Sequence, residues 1–262
     1  MPFTPSHVAA AIPFRRTPLV MSALVIGCMA PDFEYFLRLS PEGGLGHTLT
    51  GVFVFDLPLA LIALWLFHAY AKEPLYAWLP ESVQRRIELG PTALRIRSFA
   101  HFAMILLSIL IGEATHILWD SFTHPQFWPY RHWQFLHGTV RVPVYGPMQY
   151  DRVIQHGSTV IGAVVLLLWC RHWFRTTAPT QPAMARNPRE NRRGALLAVC
   201  IVALAAAAFR GLLILRFGTT SQCGVEKFAF ESAVITSIDA FWLGVVVYGA
   251  LRTLRREELQ KV

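Results

Sequence analysis

Charge is scarce in this chain. Only 15% of its 262 residues are Asp, Glu, Lys or Arg, where a soluble domain carries roughly 25%. With 54% hydrophobic residues and a mean hydropathy of +0.40, that shortfall excludes a disordered chain and argues against a soluble globular enzyme. Cysteine is sparse as well. Cys28, Cys170, Cys200 and Cys223 stand far apart, with no CxxC and no zinc-finger spacing, which excludes a disulfide framework and a thiolate metal site. No internal repeat is present, so one signature of a transporter is missing. What charge remains is one-sided: 24 Lys and Arg against 16 Asp and Glu, a net +8. In so apolar a chain this excess belongs to basic loops on the cytoplasmic side of a membrane. No nucleic-acid partner is expected.

Long apolar runs are what the sequence does have. Those at 51–71, 99–119, 153–170, 195–216 and 228–251 can each cross a bilayer core. A shorter run, 18–30, needs the preceding SHVAAAIPF to span, either as a continuation or as one arm of a hairpin. Pro13 and Pro18, flanking Arg15 and Arg16, favour a break there. Segments 1–17, 72–98, 171–194 and 252–262 hold 17 Lys and Arg; the alternate segments 31–50, 120–152 and 217–230 hold 5. That alternation predicts an all-α, polytopic bundle of about six transmembrane helices with both termini cytoplasmic. It reads as one integral-membrane domain over 1–262, with motif-bearing helices in 1–174, a basic, Pro-containing linker at 175–194, and two further transmembrane helices in 195–262. The out-facing segment 120–150 is crowded with aromatics, among them Phe122, Trp128, Trp133, Phe135, Tyr145 and Tyr150, as suits chain lying in the headgroup layer. Val25-Ile26-Gly27-Cys28 also fits a lipoprotein cleavage box; a retained helix keeps His7 in the protein.

Chemistry concentrates in EATHILWDSFTH, residues 113–124. On a helix Glu113, His116, Asp120 and His124 fall within an arc of about 80°. Ionisable groups in a membrane span are costly and face a bundle interior or a water-filled cavity. His and Asp four residues apart can converge on one divalent metal, zinc first and manganese or iron next. The alternative is a polar seam between helices. Other segments bring similar groups to the same membrane face: Asp32 and Glu34 after the first apolar run, His47 at the start of the next with Asp56 further in, and Asp151, Arg152 and His156 at the head of another. Taken singly, Asp32 reads as well as a cap, Asp56 as a partner for arginine, and His156 as an interface histidine. His7 joins the cluster only if 5–14 and 18–30 form a hairpin entering from the outer side. Arg210 and Arg216 are expected to pair with Glu231 and Asp239 of the last helix. His68 and His101, near the inner helix ends, offer a pair of haem ligands, the basis of a rival reading as an electron carrier.

MPFTPSHVAAAIPF, APDFEYF, GHTLTGVFVFDLP, THILWDSFTH and QHGSTVIG together resemble an uncharacterised family of bacterial inner-membrane proteins, over most of 1–165. The order His, Pro-Asp, Gly-His, His-x3-Asp is similar to that of predicted membrane-bound metal-dependent hydrolases, and the His-x3-Asp step also resembles all-α zinc-dependent phospholipases C. The resemblance implies His7, Asp32, His47, His116, Asp120 and His124 as metal ligands. The expected function is therefore a membrane-embedded, metal-dependent hydrolase of a phosphoester in a lipid or lipid-linked substrate. Glu34 or Glu113 is the candidate base; Arg141, Arg152 and His156 are candidate substrate contacts; the bacterial inner membrane is the expected location. The non-enzymatic alternatives are the haem carrier and a transporter or scaffold with a polar outer vestibule.

Overall fold

The structure, a computed structural model, describes residues 4–91, 93–143, 146–184, 190–218 and 224–260. Tyr145, Cys223 and part of the 175–194 linker lie outside them. The chain is 75% helical, and among the described residues five helices have the length and hydropathy to cross a membrane. They are preceded by two short helices, α1 (Met21–Gly27) and α2 (Phe33–Arg38). The five are α3 (Leu49–Trp78), α4 (Phe99–Asp120), α5 (Tyr150–Thr176), α6 (Arg192–Phe217) and α7 (Val225–Gln260). One two-stranded antiparallel hairpin, β1 (Thr139–Val142) with β2 (Gly146–Gln149), lies in the loop between α4 and α5.

Large apolar side chains stay exposed along these helices, including Val160, Ile161, Leu167 and Leu168 of α5 and Leu197, Ile201, Phe209 and Leu212 of α6. A water-soluble protein does not present faces of this extent; a bilayer covers them. The protein is a multi-pass, all-α membrane bundle.

Contacts divide the chain into two compact units that interleave in sequence. The first comprises residues 1–32, 45–61 and 96–175, and the second 33–44, 62–95 and 176–262.

The first unit opens with a feature that hydropathy does not reveal. Thr4–Arg16 is a 3-10 helix of 13 residues, long for a form that seldom exceeds three or four. It returns through α1, which runs alongside α4. Val20 N donates to Ser108 Oγ at one end (2.9 Å) and the Cys28 carbonyl meets His116 Nδ1 at the other (2.8 Å). Gly27 faces the Ile109 carbonyl, and Gly112 faces Leu24 O and Cys28 N so closely that neither position has room for a Cβ. Small residues of this kind let membrane helices approach backbone to backbone.

The short run 18–30 forms the return arm of this hairpin, and the five long helices stand apart from it. Segment 1–17, expected on the basic side as one piece, extends from one helix end toward the other. Thr4 and His7 lie at the Asp120 end of α4, the end with few basic residues. Arg15 and Arg16 instead reach Trp169 and His172, near the far end of α5. One 3-10 arm thus separates the arginines from Thr4 and His7.

In the second unit α6 and α7 pack together, and α7 also packs on the later turns of α3. Trp78 stacks on Tyr248 and Phe67 on Trp242. Arg252 bridges Glu73 (3.2 Å) and Glu190. After α5, Gln181 N donates to the Arg85 carbonyl and Met184 N to Gln84 Oε1, each at 3.0 Å. The expected Arg210 and Arg216 pairs with Glu231 and Asp239 do not form. Arg210 donates to the Leu39 carbonyl (3.3 Å), Glu231 sits 3.9 Å from Lys227, and Arg216 lies over Phe217. Arg210, Glu231 and Arg216 each find a nearer partner on their own helix or in the turn after α2.

Candidate metal centre

Four segments of the first unit meet at one buried point. On α4 the four-residue step from His116 to Asp120 puts both side chains on one face. Asp32 ends the 3-10 turn Ala30–Asp32, which follows α1 directly. His47 sits in a tight turn in which Thr48 N and Thr48 Oγ1 both donate to the Leu45 carbonyl. Thr48 then caps α3 by accepting from Gly51 N (2.9 Å). Gly46 has no space for a Cβ against the Pro31 carbonyl and Asp56 Oδ1. In Gly-His-Thr, then, the glycine permits the close approach, the histidine supplies the ring nitrogen, and the threonine caps the helix.

Asp32 Oδ1, His47 Nε2, Asp120 Oδ2 and His116 Nε2 form a ring in which nitrogen and oxygen alternate. Around it the distances are 3.7 Å from His47 to Asp32, 3.4 Å from His47 to Asp120, 3.5 Å from His116 to Asp120 and 3.6 Å from His116 to Asp32. All four residues are buried, and one ligand atom from each lies within 4.8 Å of every other. These separations exceed the 2.7–3.2 Å of a good hydrogen bond. Asp32 Oδ1, His116 Nε2 and both Asp120 oxygens have no hydrogen-bond partner, an arrangement buried polar atoms avoid. They come close instead to the separations of ligands around one metal ion, about 3.0–3.6 Å for bonds of 2.0–2.2 Å to nitrogen and oxygen. Two carboxylates and two neutral imidazoles carry −2, which one divalent cation neutralises. The residues fit a metal.

The outer oxygens of the two carboxylates turn to the 3-10 arm. Thr4 Oγ1 donates to Asp32 Oδ2 at 2.6 Å, and His7 Nε2 lies 3.5 Å from Asp120 Oδ1. In a 3-10 helix residues i and i+3 eclipse, so Thr4 and His7 stand one above the other and address the two carboxylates together. The His7 ring also stacks on His116 at 3.8 Å. The Cys28 carbonyl accepts from His116 Nδ1 and fixes the tautomer that leaves Nε2 free to bind metal. Sequence reasoning misses Thr4 and Cys28. The only signal is the Thr-x-x-His spacing, legible once the arm is known to be 3-10. Replacing Thr4 by valine keeps the volume and removes the donor. Zinc affinity measured by competition with a chelator is expected to fall ~10-fold, within the range for such outer contacts.

The chain matches, over residues 1–250, the family model described as Domain of unknown function (DUF4184). It belongs to that family. The match runs well beyond residue 165, where the motif resemblance ends, and takes in α6 and most of α7. Neither the curated proteins nor the solved structures give a match.

In this DUF4184 chain the remaining candidates are placed as follows. His124 lies beside the ring, its Nδ1 3.5 Å from Asp120 Oδ2 and 3.1 Å from the Asp120 carbonyl. It stacks on His47 and is the most exposed of the cluster. Burial lowers its pKa, against the opposing pull of the Asp120 carboxylate, and its ring forms the solvent-side edge. Glu113 is buried one turn below His116, beside the equally buried Asp56, and both its oxygens lack hydrogen bonds. Asp56 is positioned by a π-turn, Val52–Asp56, within α3. Glu34 is not brought to the ring. It lies in the second unit, bonded by Arg38 and by Gly44 N (2.8 Å), and so closes the turn after α2. Arg141 and Arg152 are exposed, on β1 and at the head of α5; Arg152 donates to Gln155 Oε1 (3.1 Å). His156 is exposed on α5. His68 and His101 fall in different units, and His101 Nδ1 accepts from Arg97 N (3.3 Å).

Proposed function

We propose that this chain is a membrane-embedded, metal-dependent hydrolase of the bacterial inner membrane, acting on a phosphoester of a lipid or lipid-linked substrate. The observation that supports it is the buried, alternating ring of Asp32, His47, Asp120 and His116, with no hydrogen bond at Asp32 Oδ1, at His116 Nε2 or at the Asp120 carboxylate. A divalent ion there, zinc in preference to manganese or iron, supplies Lewis acidity and a water acidic enough to serve as nucleophile near neutral pH.

The chain's own residues do the rest. Thr4 and His7 hold the outer oxygens of the two carboxylates, and the Cys28 carbonyl sets the His116 tautomer. His124, at the exposed edge, is placed to exchange a proton with substrate entering from the aromatic loop. Trp128, Trp133 and Phe135 of that loop are exposed and suit the headgroup layer; Arg141 and Arg152 offer charge for a phosphate. Histidine without carboxylates would favour haem; two carboxylates within the ring favour a bare ion.

The test is turnover. Zinc-loaded protein in detergent is assayed against phospholipids and an aryl phosphodiester, alongside Asp32→Asn and a chelated sample. Hydrolysis that chelation removes and zinc restores, and that D32N loses, supports the reading. Full metal occupancy with no cleavage of any phosphoester would overturn the hydrolase and leave the metal centre.

A further inference from the structure

Arg15 and Arg16 lie at the turn of the N-terminal hairpin, both exposed and, among the described residues, without an acidic partner. They open onto a groove against the far part of α5. Trp169 and His172 form its polar side with the arginines, and Ile12, Pro13 and Leu168 its apolar walls. The 3-10 arm lies directly along α5, for Ser6 Oγ donates to the Thr159 carbonyl (3.0 Å) and Ser6 occupies the space above Gly162.

The depth of this groove follows from the helix. His172 comes 22 residues after Tyr150 in one unbroken helix, a rise of about 33 Å. The hydrocarbon core is about 30 Å thick. The groove therefore sits where the acyl region gives way to headgroups, toward the end of α5 away from the metal ring. Arg171 and Arg175 follow on the same helix, and the basic face of a membrane protein is the one that meets anionic lipids. Two adjacent guanidiniums suit the oxygens of a phosphodiester, a tryptophan suits the interface, and the apolar walls suit the start of an acyl chain.

We propose that this groove binds the headgroup of an anionic phospholipid, which pins the turn of the N-terminal hairpin to α5. The site is distinct from the metal ring and stands whether or not the ring is catalytic. Its ligand neutralises the only two arginines in the arm that carries Thr4 and His7.

The experiment uses full-length protein delipidated in a neutral detergent and titrated with phosphatidylglycerol or phosphatidylcholine. Bound lipid is counted by native mass spectrometry and stability is followed by thermal melting. Wild type is expected to hold one phosphatidylglycerol in preference to phosphatidylcholine and to gain stability from it. Arg15→Gln with Arg16→Gln is expected to weaken that binding ~10-fold or more. Arg95→Gln with Arg97→Gln, an equal loss of charge elsewhere, is expected to leave it unchanged. Leu168→Glu, at an exposed position in the groove wall, provides a second variant with the arginines intact and is expected to weaken binding by repulsion. Equal affinity for the two lipids, equal loss in the two arginine pairs, or the same stabilisation from inorganic phosphate alone would each overturn the proposal.

Discussion

Replacing His116 and Asp120 together by alanine is expected to abolish metal retention. Asp120 Oδ2 and His116 Nε2 form two of the four ring positions, and Asp120 also faces His7 and His124. Zinc affinity is expected to fall by more than ~100-fold, beyond the 10–100-fold that an outer contact costs. Thermal melting reads the same loss independently. Zinc at a thousand times its dissociation constant stabilises wild type by about 4 kcal/mol, and the double variant is expected to show no zinc-dependent shift. The variant is expected to stay folded in detergent: of the polar atoms removed, His116 Nε2 and both Asp120 oxygens lack hydrogen bonds, and only His116 Nδ1 has one. Elemental analysis showing wild-type zinc content in the double variant would dismiss the ring as the metal site.

Gly112→Val is expected to weaken metal binding from a position that contacts no ligand. A Cβ at residue 112 meets the backbone of Leu24, Gly27 and Cys28, and backbone has little freedom to yield in a packed interface. α1 must therefore move off α4, and with it the Cys28 carbonyl that orients His116 and the turn that carries Asp32. Overpacking of this kind costs about 1–3 kcal/mol, occasionally more. The misplaced carbonyl adds an expected 10–100-fold loss of zinc affinity. Gly157→Ala is the control. That position has no atom near its Cβ direction, so a helix gains propensity there at no steric cost. Wild-type zinc affinity in a folded Gly112→Val variant would separate the α1–α4 contact from the site.

Much of the site was legible because its carriers are local. The four-residue step from His116 to Asp120 is visible in any helical reading of 99–120, and His47 and Asp32 stand out as polar residues at the ends of apolar runs. Glu34 shows the limit of that logic. It stands two residues after Asp32, yet its carboxylate is bonded by Arg38 and Gly44 in the turn after α2. His7 shows the opposite case. Nothing in hydropathy distinguishes an α-helix continuing into 18–30 from a 3-10 arm folding back, and only the second places an imidazole 3.5 Å from Asp120.

The sequence by itself determined that this chain lives in a membrane, that it is all-α, which apolar runs are long enough to cross unaided, and which polar residues are too expensive to be incidental. Those properties act residue by residue: each side chain exchanges water for lipid on its own account, and each Lys or Arg prefers one face independently of the rest. Tertiary structure alone decided which of those residues meet. The ring depends on α1 lying against α4 through Gly27 and Gly112, on a 3-10 period that stacks Thr4 over His7, and on a turn that has no room beside Gly46 for a side chain. Those are contacts between segments far apart in the chain, and their geometry is set by packing, to which periodicity and charge are blind.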